Sequence, residues 1–147
     1  MLFSLACFTG AHEAKAPILV CEKLRRIGYN IGIAFQIIDD ILDYSGNEIL
    51  VRKPLKNDIA AGIVTLPVLC ALPFSSALRD IFSKGFFTPD ESESIYQLVR
   101  ESGGAIAADT YAKTYTNRAI REIDTLPRGN HRDMLATLTR LLLIRDT

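Results

Sequence analysis

This sequence has few cysteines, no formal net charge and no long apolar run. The three cysteines are odd in number and widely spaced, at Cys7, Cys21 and Cys70, which argues against a zinc knuckle or redox pair and favours buried thiols. The formal net charge is zero and there is no basic patch, so neither nucleic acid nor an anionic lipid surface is expected as a partner. The longest strongly apolar stretch, residues 31–38, is far too short to span a bilayer, so no transmembrane segment is predicted.

The length of 147 residues leaves room for one domain with one hydrophobic core. Residues 1–11 are apolar and imitate the core of a signal peptide, but they lack its positively charged leader. We therefore predict a single helical domain over residues 1–147 and a cytoplasmic location.

Hydrophobic periodicity and capping residues predict helices throughout the chain, without strand-like alternation. Thr65-Leu66-Pro67 and Thr88-Pro89-Asp90-Glu91 both have the pattern of a helix start, and the second is a capping box. Gly103-Gly104 and Pro127 are helix stops. The predicted helices cover about residues 2–12, 17–44, 66–72, 89–103, 106–126 and 130–145, with a polar loop over residues 46–64.

Three aspartates lie in the most apolar part of the second predicted helix. Asp39, Asp40 and Asp43 have the spacing i, i+1, i+4, which places them on one side of a helix, and no lysine or arginine occurs between Arg26 and Arg52. A divalent cation would relieve the repulsion between these carboxylates, and oxygen ligands alone indicate a hard ion, Mg²⁺ first. The alternative is a solvated acidic face, although the apolar flanks go most of the way round the helix and favour a buried one.

The predicted loop after this helix carries cations. Arg52, Lys53 and Lys56 are followed by Asp58, and this set suits a metal-bound diphosphate because lysine and arginine meet phosphate oxygens while acids hold metals. The alternatives are a solvated loop lysine at Lys53 and a helix or turn cap at Asp58.

Two residues precede the aspartates on the same helix. Gln36 lies three and four residues before Asp39 and Asp40, so its amide could donate to a carboxylate or a phosphate; otherwise it is an ordinary buried amide. Phe35 is either a core residue or a substrate contact.

The order and spacing of these residues resemble the second aspartate-rich motif of trans-polyprenyl diphosphate synthases and the loop that follows it. The matching residues are Gly32-Ile33-Ala34-Phe35-Gln36-Ile37-Ile38-Asp39-Asp40-Ile41-Leu42-Asp43-Tyr44, Lys53-Pro54, Asp58, Gly62 and Thr65-Leu66-Pro67. Weaker similarity extends to both ends, so the whole chain resembles the C-terminal half of such an enzyme. The resemblance implies an all-α helical bundle, the C-terminal half of the isoprenoid-synthase fold.

The resemblance also implies a magnesium-dependent prenyl transfer, in which isopentenyl diphosphate condenses head to tail with an allylic prenyl diphosphate. The allylic diphosphate ionises, isopentenyl diphosphate attacks the carbocation, and loss of a proton leaves a chain longer by one isoprene unit. By resemblance, Asp39 would be a direct Mg²⁺ ligand, and Asp40 and Asp43 would hold waters of that ion or orient it.

The same resemblance implies the residues that contact substrate. Lys53 would contact the allylic diphosphate, Gln36 would help to orient that group, and Phe35 would line the floor near the reacting carbons. Asp39, Asp40 and Lys53 would then be the catalytic residues.

Several features of that family do not occur in this sequence. The first aspartate-rich motif and the Lys-Thr pair expected before Met1 are missing, Arg52 replaces the usual glycine, and Ile63 stands where many members have lysine. We therefore expect a chain that is inactive alone and supplies one metal and diphosphate half-site to a missing N-terminal half or second subunit, within a homo- or hetero-oligomer. The alternatives are a noncatalytic interaction subunit of a two-component synthase and an unrelated helical domain with a surface acidic cluster.

Overall fold

The computed structural model describes residues 1–44, 59, 63–85 and 88–143, and every regular element within these ranges is helical. The all-α fold class is thereby confirmed. The elements are α1 (Leu2–Glu13), α2 (Ile18–Leu42), α3 (Leu66–Ala71), α4 (Ser76–Ser83), α5 (Pro89–Glu101), α6 (Gly104–Asp124) and α7 (Asn130–Leu143), with a 3₁₀ turn at Leu72–Phe74.

Six of these helices were expected from the sequence, with bounds that differ only slightly. Helix α2 ends at Leu42 rather than at Tyr44, and the Tyr44 N–H instead donates to the Ile41 carbonyl at 2.9 Å in a closing turn. Helix α7 begins at Asn130, which the sequence predicts as the cap of this helix, while the predicted end at residue 145 lies outside the described residues. Most of the predicted loop over residues 46–64 also lies outside them.

Helix α4 has no counterpart among the predicted helices, because it is only eight residues long and follows the Pro73 break closely. Its start is nevertheless capped, since the Ser75 hydroxyl accepts from the Leu78 N–H at 3.1 Å. The Arg79 guanidinium donates to the carbonyls of Leu72 and Pro73 at 2.8 and 3.0 Å. These bonds fix the bend between α3 and α4.

The capping box predicted at α5 is confirmed. The Thr88 hydroxyl accepts from the Glu91 N–H at 3.2 Å, and the Glu91 carboxylate accepts from the Thr88 N–H at 2.9 Å. Thr65 also occupies the predicted cap position, before α3, with extended backbone, but its side chain makes no capping hydrogen bond. The Thr65 hydroxyl is therefore available for another contact.

The chain divides into two compact units, and the prediction of one domain stays a prediction. The first unit comprises Met1–Gln36 and Tyr111–Thr147. Within it α1 crosses α2 at Gly28, where a Cβ atom would lie 2.3 Å from the Phe3 carbonyl oxygen. The buried Ser4 hydroxyl donates to the Arg25 carbonyl at 3.0 Å across the same crossing. A glycine is therefore required for the contact between these two helices.

The second unit, Ile37–Thr110, has its own core. The start of α6 lies against α3, and a Cβ atom at Gly104 would meet the Pro67 carbonyl oxygen at 2.3 Å. The buried cluster consists of Tyr44, Ile59, Val68, Ala71, Leu78, Ile95, Tyr96 and Val99.

Hydropathy gives no single membrane-spanning helix within the described ranges. Leu66–Phe74 and Ser76–Ser83 reach the required length and hydropathy only when taken together, as a pair bent by 117°. Val68 and Leu78 of this pair are fully buried in the core of the second unit, and core helices of folded proteins have the same composition.

Candidate functional site

The second half of helix α2 has one fully buried face. Over residues 30–42 the buried residues are Asn30, Ile31, Ala34 and Ile37, which lie on one side of the helix. Gln36 and Asp39 are exposed and Asp40 is half-buried, and helical geometry places these three away from the centre of that buried face. Asp43 follows directly after Leu42, the last residue of the helix. Over residues 30–42 only Gln36 and Asp39 are exposed, so burial extends round most of this part of the helix, in agreement with its apolar flanks.

The three aspartates follow one another closely without forming a complete ligand set. Asp39 is exposed, whereas Asp40 and Asp43 are half-buried. In the ranges that the structure describes, no three His, Cys, Asp or Glu side chains converge closely enough to hold a metal ion. An ion at this position would need further oxygen ligands from water or phosphate, which is the usual situation of Mg²⁺ in proteins. The assignment of Asp39, Asp40 and Asp43 as metal ligands stays a prediction.

The two residues predicted to face substrate belong to the first unit. Gln36 is exposed, so it is not the buried amide that was its alternative. Phe35 is half-buried and packs on Phe3 of α1, with ring centroids 5.6 Å apart and planes inclined by 48°. This contact accounts for Phe35 as a packing residue, and its role towards substrate stays a prediction.

Lys53 was predicted both as a catalytic and as a substrate-binding residue. It lies outside the described residues, as do Arg52, Lys56 and Asp58. Their predicted contacts with phosphate stay predictions.

Tyr44 has a structural role at this site that the sequence motifs did not indicate. Its ring is only 5% exposed and stacks on Tyr96 of α5, with centroids 5.3 Å apart and planes inclined by 15°. Its hydroxyl lies 3.5 Å from the Thr65 hydroxyl. Burial raises the pKa of Tyr44 to about 12, against the effect of the Thr65 hydrogen bond and with a further upward contribution from Asp43 and Asp40. Tyr44 therefore remains a neutral phenol next to the carboxylates.

The amino-acid sequence is similar to a family model and to individual proteins of known name. Residues 1–99 match the model of the polyprenyl synthetase family. The chain is 34% identical to solanesyl diphosphate synthase 2, chloroplastic, of Arabidopsis thaliana over 90% of its own length and 32% of that protein. It is 32% identical to heptaprenyl diphosphate synthase component 2 of Bacillus subtilis over 97% of its length and 41% of that protein.

Solved structures give the same picture. Heptaprenyl diphosphate synthase from Staphylococcus aureus superposes with a TM-score of 0.91 and 29% identity, over 99% of this chain and 46% of that one. A polyprenyl synthase from Caulobacter crescentus, solved with calcium and isoprenyl diphosphate, has a TM-score of 0.83 and 29% identity, over 98% of this chain and 45% of that one. The chain therefore spans less than half the length of each of these four proteins.

Proposed function

The chain belongs to the polyprenyl synthetase family, and from that premise we propose that it contributes one metal and diphosphate half-site for prenyl transfer. The substrates proposed are an allylic prenyl diphosphate and isopentenyl diphosphate. The observation that carries the proposal is that Asp39 and Asp40 lie away from the fully buried face of α2, with Asp43 in the turn that closes this helix. A solvated acidic face in an unrelated domain, the weakest alternative, is excluded by the family match over residues 1–99.

The chemistry of these side chains fits a hard divalent cation. Carboxylate oxygens are the preferred ligands of Mg²⁺, and the ion usually keeps waters or takes phosphate oxygens for its remaining positions. The Caulobacter relative was solved in complex with calcium and isoprenyl diphosphate, which supports a divalent metal and a prenyl diphosphate as ligands here. We propose Asp39 as the direct ligand, with Asp40 and Asp43 holding coordinated waters.

The remaining roles follow from the charge on the substrate. Mg²⁺, when bound, would take up negative charge on the departing diphosphate. Lys53 is proposed to contact the same diphosphate as a point charge, and Gln36 to orient it through its exposed amide. Phe35 is proposed to line the floor near the reacting carbons, as the family resemblance implies.

A direct test is calorimetric titration of the chain with Mg²⁺ and inorganic pyrophosphate together. We expect binding that Asp39→Ala weakens at least about tenfold, the effect of losing one charged ligand worth about 1.4 kcal/mol or more. Asp80→Ala serves as the matched control, because Asp80 is an exposed helical aspartate of α4, away from the trio in sequence. Equal affinities for the wild-type chain and Asp39→Ala would refute the half-site.

A second proposal is that the chain works as a noncatalytic interaction subunit. It is favoured by the Bacillus subtilis relative, which is named as component 2 of its synthase. It is also favoured by an open apolar cavity of about 590 Å³ between α1 and α2, lined in part by Leu2, Leu5 and Phe8. Leu2 and Leu5 are 76% and 60% exposed, which is typical of a surface that another polypeptide covers.

The two proposals differ in their dependence on the aspartates. If the chain is only an interaction subunit, Asp39→Ala leaves the activity of a reconstituted complex unchanged, whereas Leu5→Ser weakens assembly. If the chain supplies the half-site, Asp39→Ala abolishes activity and leaves assembly intact.

We also propose a cytoplasmic location, although the Arabidopsis relative is named as chloroplastic. Fractionation of cells that express the tagged full-length protein would decide between compartments.

A further inference from the structure

The aspartate-bearing end of α2 is joined to the rest of the second unit through the side chain that follows it. Tyr44 comes directly after Asp43 and is almost fully buried, with its ring stacked on Tyr96. Its hydroxyl lies 3.5 Å from Thr65 Oγ1, and its N–H donates to the Ile41 carbonyl. The backbone of Asp43 is therefore held on both sides, by the last turn of α2 before it and by the buried tyrosine after it.

The surface on which Tyr44 packs is itself well supported. Tyr96 lies on α5 and is 8% exposed. Ile95, directly before it, and Val99, three residues after it, are both fully buried. The Arg100 guanidinium carbon lies 5.9 Å from the centroid of the Tyr96 ring, within the range of a cation–π contact. Offset stacking of two buried rings adds directional attraction to the area that they bury. The position of the Tyr44 ring against α5 is consequently restrained.

The hydroxyl contact adds a second direction of restraint. Thr65 occupies the cap position of α3 but its side chain makes no capping hydrogen bond, so its hydroxyl is available to Tyr44. At 3.5 Å the contact is long, and we assign the larger share of the restraint to the ring stack. Ring and hydroxyl together connect the aspartate turn with both α3 and α5.

We infer that Tyr44 is a positioning residue, whose stack on Tyr96 and contact with Thr65 set the direction in which Asp40 and Asp43 face a metal-bound diphosphate. The inference rests on the proposed function. Ligand geometry at a metal site must be held within about half an ångström, because small displacements of a carboxylate cost affinity. A change at Tyr44 should therefore alter metal affinity even in a chain that is fully folded.

The test uses the full chain, Mg²⁺ and inorganic pyrophosphate, by calorimetry well below the melting temperature of every variant. Tyr44→Leu, which removes the ring, should bind about tenfold more weakly, and Tyr44→Phe, which keeps it, should stay within about threefold of the wild type. Val99→Ala is the matched control, because it removes buried volume from the same core and leaves both tyrosine rings and all three aspartates in the chain. It should lower the melting temperature and leave the affinity unchanged.

The outcomes separate the inference from a purely structural role. Wild-type affinity in a folded Tyr44→Leu chain overturns it, and so does a loss in Val99→Ala as large as that in Tyr44→Leu. If Tyr44→Leu does not fold, Tyr96→Leu removes the other ring and must show the same loss. Binding by the wild type that Asp39→Ala does not weaken refutes the proposed half-site itself, which is a different result from a failure confined to the tyrosines.

Discussion

At Gly28 the backbones of α1 and α2 approach too closely for any side chain, which makes Gly28→Ala a sharp perturbation of the first unit. The added Cβ atom would lie 2.3 Å from the Phe3 carbonyl oxygen, 2.8 Å from the Phe3 carbonyl carbon and 2.9 Å from the Ser4 Cα. All three are backbone atoms, so only a separation of the two helices can relieve the overlap. That separation would also stretch the 3.0 Å hydrogen bond from Ser4 to the Arg25 carbonyl.

The expected loss follows from two opposing terms. Overpacking typically costs about 1–3 kcal/mol, and a backbone overlap falls at the upper end of that range. Alanine has an intrinsic helix advantage over glycine of about 1 kcal/mol, which offsets part of the loss. We expect a net destabilisation of about 2 kcal/mol, which lowers the melting temperature by roughly 4–8 °C in a chain of this length.

Thermal unfolding followed by circular dichroism measures this difference. Gly10→Ala is the matched control, because Gly10 also lies within α1 and a Cβ atom there would meet nothing within 4 Å. It should leave the melting temperature unchanged or raise it. A Gly28→Ala chain as stable as the wild type, or an equal loss in Gly10→Ala, would show that the helix crossing does not have the described geometry.

Two further predictions concern the second unit. Leu78→Ala, at a fully buried core position, should lower the free energy of unfolding in denaturant by about 2–5 kcal/mol. Leu69→Ala, at a position that is 52% exposed, should lower it much less, and equal losses would contradict the described core. The Lys84 ammonium, 2.6 Å from the Glu91 carboxylate, and the Thr88 N–H lower the pKa of Glu91 from 4.5 to about 2. The ionised Glu91 carboxylate therefore stabilises the fold above pH 4.5, and this effect is lost as the pH falls towards 2. The difference in melting temperature between the wild type and Glu91→Gln should shrink across that window, and a constant difference would refute the linkage.

Local sequence patterns predicted the long helices and the placement of the aspartates on one of them. Helix α2 follows from an apolar repeat of more than six turns, and α5 follows from a four-residue capping box, since both signals are contained in contiguous sequence. Helix α4 could not be predicted in the same way, because eight residues after a proline contain too little periodicity.

The contacts that position the site depend on residues far apart in the chain. Tyr44 and Thr65 both belong to the sequence motifs, yet their partnership requires the fold, and Tyr96 belongs to no motif at all. The close approach at Gly28 is likewise invisible in the sequence, because a glycine within a helix has no local signature of what packs against it. Spacing alone predicts a metal-binding role for the carboxylates, which stays a prediction, whereas the packing of Tyr44 beside them is visible only in the fold.

The central claim is that this chain supplies one half of a prenyl-transfer site through the aspartates of α2. The most direct measurement is the incorporation of labelled isopentenyl diphosphate onto farnesyl diphosphate, by this chain mixed with a family member's fragment that lacks the region matched here. Each component should be inactive alone, the mixture should form product, and Asp39→Ala should abolish that product while Asp80→Ala retains it. Product formed by this chain alone, or by the mixture at an undiminished rate with Asp39→Ala, would contradict the claim.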